Sequence, residues 1–103
     1  MFKVHETQQF RKWIKGLRDN RARIRIAMRI ERLEQGNLGD HKSLGDISEL
    51  RIDYGPGYRV YFMQDGKEII ILLVGGEKGS QDKDIVKARE LARNYRETRT
   101  DEN

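Results

Sequence analysis

The sequence predicts a small α+β domain, in which a mainly antiparallel sheet carries helices packed on one face. Three observations predict it: strand-like alternation on both sides of a Gly-Pro-Gly break at 55–57, a short apolar run at 69–74, and three helical apolar stripes. The predicted element order is β-α-α-β-β-β-α. With 103 residues, the chain can form one domain with its own core. We place that domain at residues 1–95 and predict a frayed C-terminal tail over residues 96–103, which have nothing to bury.

Composition narrows the classes of function. The chain has no cysteine, which excludes disulfides, thiolate metal sites and cysteine nucleophiles and favours a cytoplasmic location. No apolar run reaches the roughly 18 residues that a membrane span needs, and the N-terminus lacks a signal-peptide core. The net charge is +4, and ten Lys/Arg against four Asp/Glu fall within the first 34 residues. This concentration of positive charge favours a polyanionic partner such as nucleic acid.

The first two elements are a short strand and a helix. Phe2 and Val4 alternate with polar residues, which predicts a strand. Thr7 is a suitable N-cap for the helix that follows. Apolar residues then recur at helical spacing: Phe10, Trp13, Ile14 and Leu17.

Residues 21–34 fit both a strand and a helix, and we interpret them as a helix. Asp19 and Asn20 offer an N-cap, and Gly36 supplies a stop. The helical stripe would contain Ala22, Ile26, Ile30 and Leu33. Beside it the sequence places a basic ridge of five arginines: Arg18, Arg21, Arg25, Arg29 and Arg32. The ridge fits either an RNA-facing surface or a solvated helix face that lies over the core.

The second half of the chain begins with a loop, predicted over residues 35–47. The hairpin follows, and then a strand at 69–74 that we expect to be central and buried on both faces. Glycines at 75–79 end this strand abruptly. The last helix should begin near Ser80 and bury a third stripe, Ile85, Ala88, Leu91, Ala92 and Tyr95.

The hairpin brings two arginines together. A three-residue loop at 55–57 would place Asp53 opposite Arg59 and Arg51 opposite Tyr61, with all four side chains on the outward face. Arg51 and Arg59 would then be diagonal neighbours, roughly 7–8 Å apart. Two guanidinium groups this close need an anion between them, and either Asp53 or a bound phosphate fits.

Three motifs carry a resemblance to a known family: Glu-Leu-Arg-Ile-Asp at 49–53, Gly-Tyr-Arg-Val-Tyr-Phe at 57–62 and Gly-Gly-Glu-Lys-Gly at 75–79. With the element order, they resemble the RelE/ParE toxin superfamily, in particular its HigB-like addiction-module killer proteins. Members are toxins of type II toxin–antitoxin pairs. RelE and HigB types enter the ribosomal A site and cut messenger RNA, whereas ParE types act on DNA gyrase. The resemblance implies a cognate antitoxin, of helix-turn-helix type in HigB-like relatives, through which the pair would contact operator DNA.

The resemblance also implies roles for three basic residues. Arg59 matches the arginine that holds the scissile phosphate in the ribonuclease toxins. Arg51 matches an outward basic residue on the preceding strand, and Lys78 matches a basic residue just past the last core strand. The sequence departs from RelE at Glu49, where RelE has a lysine, and near Asp84, where RelE has a tyrosine. These departures leave the general acid and base open.

Metal-independent RNA cleavage requires attack by the 2′-hydroxyl on the adjacent phosphorus, with groups that move protons and stabilise charge. Arg59, helped by Lys78, suits charge stabilisation because a guanidinium grips two phosphate oxygens and stays charged. Glu49 is a candidate base, and Tyr61 is a candidate for base stacking or proton donation. His5 and His41 have no partner at a telling spacing. No metal site or cofactor is predicted, because the sequence has no ligand cluster and no nucleotide-binding loop.

The leading hypothesis is therefore a ribosome-dependent endoribonuclease toxin, an mRNA interferase neutralised by its antitoxin. A gyrase-poisoning toxin of the ParE type, without nuclease activity, is the alternative. A decayed toxin that only binds antitoxin or DNA is a third possibility.

Overall fold

The structure, a computed structural model, describes residues 1–101. Its sheet contains five strands, and three α-helices pack around it. The elements in chain order are β1 Lys3–Glu6, α1 Gln8–Gly16, α2 Asn20–Glu34, β2 His41–Ser43, β3 Ser48–Ile52, β4 Tyr58–Asp65, β5 Ile69–Glu77, a 3₁₀ turn Lys78–Ser80, and α3 Gln81–Asp101.

The strands lie in the order β1-β5-β4-β3-β2, with β1 parallel to β5 and every other pair antiparallel. The α+β class is thus confirmed. The predicted order lacks one strand, because β2 lies within residues 35–47, which were predicted to be a loop. All three residues of β2 are exposed and polar, and they pair only with the outer edge of β3. A strand without buried side chains leaves no apolar alternation in the sequence.

Helices cover both faces of the sheet, so the prediction of helices on one face is wrong. One core lies under α1 and α2 and includes Phe10, Ile26 and Val60. A second core lies under α3 and includes Tyr61 and Ala88. The strand β5, which was correctly predicted to be buried on both faces, contributes to both cores. A doubly buried strand already requires a second layer, and α3 provides it.

The predicted helix starts and stripes are confirmed. The Thr7 hydroxyl accepts a hydrogen bond from the Phe10 N–H at 3.0 Å and donates to the Leu73 carbonyl at 2.6 Å. The Asp19 carboxylate accepts from the first turn of α2. The most deeply buried stripe residues are Phe10, Ala22, Ile26, Leu33, Ala88 and Ala92.

The hairpin register differs from the prediction by two residues. The loop contains residues 53–57, and Arg51 lies directly opposite Arg59 instead of diagonal to it. Tyr54, predicted to face Tyr58, leaves the ladder: its hydroxyl donates to Asp19 at 3.0 Å, and the Arg25 guanidinium lies 4.8 Å from its ring centre. A shift of two residues keeps every side chain on its predicted face.

The helix α3 continues through residues predicted as a frayed tail. Residues 96–101 are helical, and Arg96 donates a hydrogen bond to the Asp46 carbonyl at 3.1 Å. Residues 102 and 103 of that predicted tail lie outside the described residues.

Gly75 gives a direct test of the packing between α1 and β5. A methyl group at Gly75 would overlap the Trp13 ring, whereas one at Gly79 meets nothing within 4 Å. We expect Gly75→Ala to lower the free energy of unfolding by about 1–3 kcal/mol, because the indole must shift within a packed core. Gly79→Ala, the matched control, should change it by less than about 0.5 kcal/mol. Urea unfolding of both variants measures the difference, and equal values would contradict the packing described.

Candidate functional site

A buried carboxylate lies at the centre of the candidate site. Glu49 on β3 is 2% exposed. Its Oε1 accepts hydrogen bonds from the Tyr61 hydroxyl at 3.1 Å and the Gln81 amide at 2.9 Å, and its Oε2 accepts from Arg51 Nε at 3.3 Å. The strand period brings Glu49 and Arg51 to the same face. The register places Tyr61 beside Glu49, and Gln81 reaches it from the first turn of α3.

Arg51 and Arg59 lie side by side across β3 and β4, as the shared face predicted. Arg59 Nε is 3.5 Å from Glu49 Oε1, so one carboxylate neutralises part of the charge of both guanidiniums. Asp53, one of the two anions considered for this role, is exposed in the hairpin loop and does not fill it. Asp40 lies 3.8 Å from Arg51 and adds a weaker contact.

Arg59 keeps free hydrogen-bonding capacity. Its side chain is 13% exposed, and its Nε is buried without a hydrogen-bond partner. Its two terminal amino groups are accessible and donate to no residue in the described part of the chain. The Arg51 side chain is 35% exposed. The two arginines therefore present positive charge to solvent, and Glu49 holds both side chains in place.

The environment keeps Glu49 ionised at neutral pH. Burial alone would raise the pKa of this carboxyl. The hydrogen bonds from Gln81, Arg51 and Tyr61, together with the charge of Arg59, outweigh burial and lower the pKa below 4.5. A carboxylate with a lowered pKa and donors on both oxygens is a weak base, and it is well suited to hold guanidinium groups.

Tyr61 is fully buried, so its predicted outward position is wrong. Burial, with the nearby charge of Glu49, raises the pKa of its hydroxyl, which donates to Glu49. Tyr61 is buried because α3 packs over this part of the sheet face, which was predicted to be open to solvent. A buried ring cannot stack on a nucleobase.

Lys78 lies at the same end of the sheet as Arg59. Its side chain is exposed, and its backbone N–H donates to the Gly57 carbonyl at 2.8 Å, next to the hairpin loop. Gly76, two residues earlier, pairs with Arg59. A methyl group at Gly76 would overlap Asp84, whose carboxylate accepts from the Ser80 hydroxyl at 2.5 Å.

Sequence reasoning missed the contribution of α3 to this site. Gln81 and Asp84 approach the strands only because α3 packs on this face. The one local signal was Gly76, a glycine at the end of a strand, which marks a close approach by another group.

The predicted basic ridge lies on the opposite side of the sheet from Arg59, because α2 packs on the other face. The structure does not bring the two together. Arg29 is structural: it donates to the Leu38 and Asp40 carbonyls, both at 3.0 Å, and to the Arg51 carbonyl. The remaining ridge members are exposed: Arg18, Arg21, Arg25 and Arg32.

The two histidines lie on strands at opposite edges of the sheet. His5 is on β1 and His41 is on β2, and both are exposed. Among the side chains that the structure describes, in residues 1–98, no group of three His, Asp or Glu comes together in a way that could hold a metal ion. Over the same residues, no helix is both long and apolar enough to cross a membrane.

Removing the charge of Glu49 tests its role as anchor. We expect Glu49→Gln to lower the free energy of unfolding at pH 7 by about 1–3 kcal/mol, because two arginines lose their shared counterion. The folded-state pKa is lowered, so this stabilisation is present above the unfolded value of 4.5 and is lost as pH falls through the folded pKa. The difference in the free energy of unfolding between the wild type and Glu49→Gln should therefore become smaller at acidic pH.

Glu90→Gln is the matched control, since Glu90 forms an exposed pair with Lys87 at 3.6 Å. It should shift the free energy of unfolding by less than about 0.5 kcal/mol. Denaturant unfolding at several pH values measures both variants. A gap for Glu49→Gln that does not depend on pH would refute the ion-pair role.

Substitution of Arg29 and of Arg32 compares a structural arginine with a surface arginine on the same helix, α2. Arg29→Ala should lower the free energy of unfolding by about 1.5–3 kcal/mol, because three carbonyls lose a charged donor. Arg32→Ala should cost less than about 0.5 kcal/mol, because Arg32 is exposed. Chemical denaturation compares the two, and equal costs would contradict the structural role of Arg29.

Comparison with known proteins identifies a relative that matches most of the chain. No protein-family model matches the chain. The chain is 49% identical over 90 residues to an uncharacterised protein of Haemophilus influenzae, and the alignment covers 86% of this chain and 91% of that protein. At this identity and coverage, the chain belongs to the same family as the uncharacterised Haemophilus influenzae protein.

Proposed function

We propose that this protein is the toxin of a type II toxin–antitoxin pair, of the RelE/ParE kind, and that it cuts messenger RNA on the ribosome in the cytoplasm. The observation that supports this most is the anchored arginine pair. Arg59 presents accessible amino groups while its Nε side is held against Glu49. Such a guanidinium is oriented before any ligand binds, which is the condition for strong electrostatic stabilisation.

The charge of the cluster suits a phosphodiester. Arg51, Arg59 and Lys78 carry three positive charges, and Glu49 carries one negative charge between the two arginines. Asp40 and Asp84 carry two further negative charges at the edges of the cluster, so a phosphate would have to bind on the Arg59 side, where Glu49 is the carboxylate at ion-pair distance. Asp40 is close to Arg51 but forms no ion pair with Arg59. Arg59 is therefore the better phosphate ligand, and Arg51 assists it.

In the proposed reaction the 2′-oxygen attacks the adjacent phosphorus, and the bond from phosphorus to the 5′-oxygen breaks. The products are a 2′,3′-cyclic phosphate and a free 5′-hydroxyl. Arg59 stabilises the additional negative charge on the phosphoryl oxygens, and the Lys78 ammonium donates a proton to the leaving oxygen. The proton of the 2′-hydroxyl passes to water.

Dependence on the ribosome fits the lack of a strong base in this cluster. Glu49 is buried with a lowered pKa, and Tyr61 is buried with a raised pKa. Positioning of the RNA by a large partner can supply several kcal/mol, which offsets a weak proton acceptor. A toxin with a charge-stabilising arginine and little else is expected to act only on aligned RNA.

The same observation favours one alternative, a ParE-type toxin that binds DNA gyrase and cuts no RNA. A cluster whose central carboxylate, Glu49, is buried and held by arginines can serve binding alone. In that case the arginine pair would recognise an acidic surface.

Arg59→Ala tests the nuclease. Induced expression of the wild type should arrest growth, and Arg59→Ala should remove the arrest, since losing one such charge-stabilising donor costs about 10²–10³ in rate. Arg59→Lys should be nearly as defective, because an ammonium cannot grip two oxygens. Arg93→Ala, at an exposed position on α3, is the matched control and should stay toxic. Circular dichroism checks that each variant folds.

Primer extension on messages from induced cells separates the mechanisms. Breaks within translated codons, absent with Arg59→Ala, support the nuclease. DNA damage with intact messages would establish the gyrase alternative. No arrest by the wild type would indicate a decayed toxin.

A further inference from the structure

Three hydrogen-bond donors lie next to one oxygen of the Glu49 carboxylate. That oxygen, Oε1, accepts from the Tyr61 hydroxyl at 3.1 Å and from the Gln81 amide at 2.9 Å. The third donor, Arg59 Nε, lies 3.5 Å from the same oxygen and forms a hydrogen bond with none of the residues that the structure describes. Because a carboxylate oxygen has two lone pairs, the two neutral donors fill Oε1 and exclude the charged one.

The excluded donor is the one expected to bind the carboxylate most strongly. A hydrogen bond from a guanidinium to a carboxylate is charge-assisted, and it is roughly twice as strong as one from a neutral donor. Arg59 Nε is instead buried without a partner, which costs free energy. Unsatisfied buried groups are rare in natural proteins, and functional sites are where they are expected. The unpaired Nε therefore indicates that this protein uses an Arg59 that is not closed onto Glu49.

Arg51 shows the contact that forms where no neutral donor competes. Its Nε donates to the other oxygen of Glu49, Oε2, at 3.3 Å, and within residues 1–98 no second donor binds that oxygen. Arg51 is thus bonded to Glu49, whereas Arg59 only lies beside it. Two arginines that lie opposite each other on adjacent strands therefore differ in how tightly Glu49 holds them. The donors at Oε1, Tyr61 and Gln81, account for this difference.

Gln81 is the more effective of the two neutral donors. Its hydrogen bond to Oε1 is the shorter one, at 2.9 Å against 3.1 Å for Tyr61. Burial raises the pKa of Glu49, and the hydrogen bond from Gln81 is the largest of the effects that lower it. Gln81 also belongs to a different element, the first turn of α3, whereas Tyr61 lies on the same strand as Arg59. The helix α3 therefore determines, through one amide, which donors Glu49 can accept.

The turn before α3 fixes Gln81 in this position. The Ser80 hydroxyl oxygen accepts from the Glu77 N–H at 3.2 Å, and the hydroxyl donates to Asp84 at 2.5 Å, so both sides of the turn are tied together. Gly76 permits the close approach of this turn to β5, because a methyl group there would overlap Asp84. The Gln81 amide thus reaches the carboxylate from a constrained part of the backbone.

We propose that Gln81 is a positioning residue for Arg59. By filling Glu49 Oε1, its amide keeps the guanidinium from closing onto the carboxylate and leaves it free to grip an oxyanion. Identification of that oxyanion with the scissile phosphate rests on the proposed function, whereas the competition for Oε1 does not. Gln81 touches no reacting atom, and its effect passes through Glu49 to Arg59.

Gln81→Met tests the proposal, because methionine has nearly the same size as glutamine and donates no hydrogen bond. With one lone pair of Glu49 Oε1 vacant, Arg59 Nε should form a hydrogen bond to it. Proton–nitrogen NMR of the arginine side chains in the full chain should show a downfield shift of the Arg59 Hε resonance, which Arg59→Lys identifies by its loss. Titration of the same samples with inorganic phosphate should give an affinity about fivefold lower than that of the wild type, which corresponds to one competing hydrogen bond.

Gln9→Met is the matched control, since Gln9 is exposed on α1. It should change neither the Arg59 resonance nor the phosphate affinity. Gln81→Leu, which also removes the donor, is a second variant, and urea unfolding checks that each variant is folded. An Arg59 resonance at its wild-type position in both Gln81 variants would overturn the proposal. So would a loss of phosphate affinity without a shift of that resonance, because such a result indicates a structural role only.

These measurements use neither RNA nor ribosomes, so their outcome is separate from that of the nuclease test. A shifted Arg59 resonance, together with a wild type that cuts no message, would refute the nuclease and support the positioning role of Gln81. If the wild type cuts messages, Gln81→Met should cut them about fivefold more slowly. Gln9→Met should cut them at the wild-type rate.

Discussion

The structure of this domain depends on one buried carboxylate. The sheet has a second face that α3 must cover, yet that face contains two adjacent arginines. Glu49 resolves the conflict because it accepts hydrogen bonds from Arg51, Tyr61 and Gln81 and lies within ion-pair distance of Arg59. A buried charge without such partners would cost several kcal/mol. The same contacts join β3, β4 and the first turn of α3. The ion pairs of Glu49 therefore also hold α3 against the sheet.

Charged groups hold β3 from both sides. On the α3 side, Glu49 binds the Arg51 side chain, and on the α2 side, Arg29 donates to the Arg51 carbonyl. Arg29 also binds two carbonyls of the loop that leads into β2. The backbone and the side chain of Arg51 are thus fixed independently. An arginine held in this way loses little additional freedom when it binds an anion.

Features that depend on neighbouring residues, such as helix caps and apolar stripes, were predicted from the sequence. The burial that results from the packing of α3 on the sheet was not. Thr7 and Asp19 cap the helices as expected, because caps and stripes depend on near neighbours. The faces of the hairpin were right but its register was not, because a period of two cannot distinguish pairings that differ by two residues. Tyr61 was placed outward because nothing near it in the chain indicates that α3 covers it. Arg51 and Arg59 were found from their spacing, whereas Glu49 became their counterion only through tertiary packing.

Two surfaces of this protein share the strand β3. Arg51 and Arg59 face the α3 side, whereas a groove lies along α2 and ends at Ile52 and Asp53, the residues that follow Arg51. Because side chains alternate along a strand, adjacent residues of β3 serve opposite faces. The two surfaces are therefore on opposite sides of the sheet. Arg29 lines the groove and donates a hydrogen bond to the Arg51 carbonyl, so one side chain links the groove directly to the strand that carries Arg51.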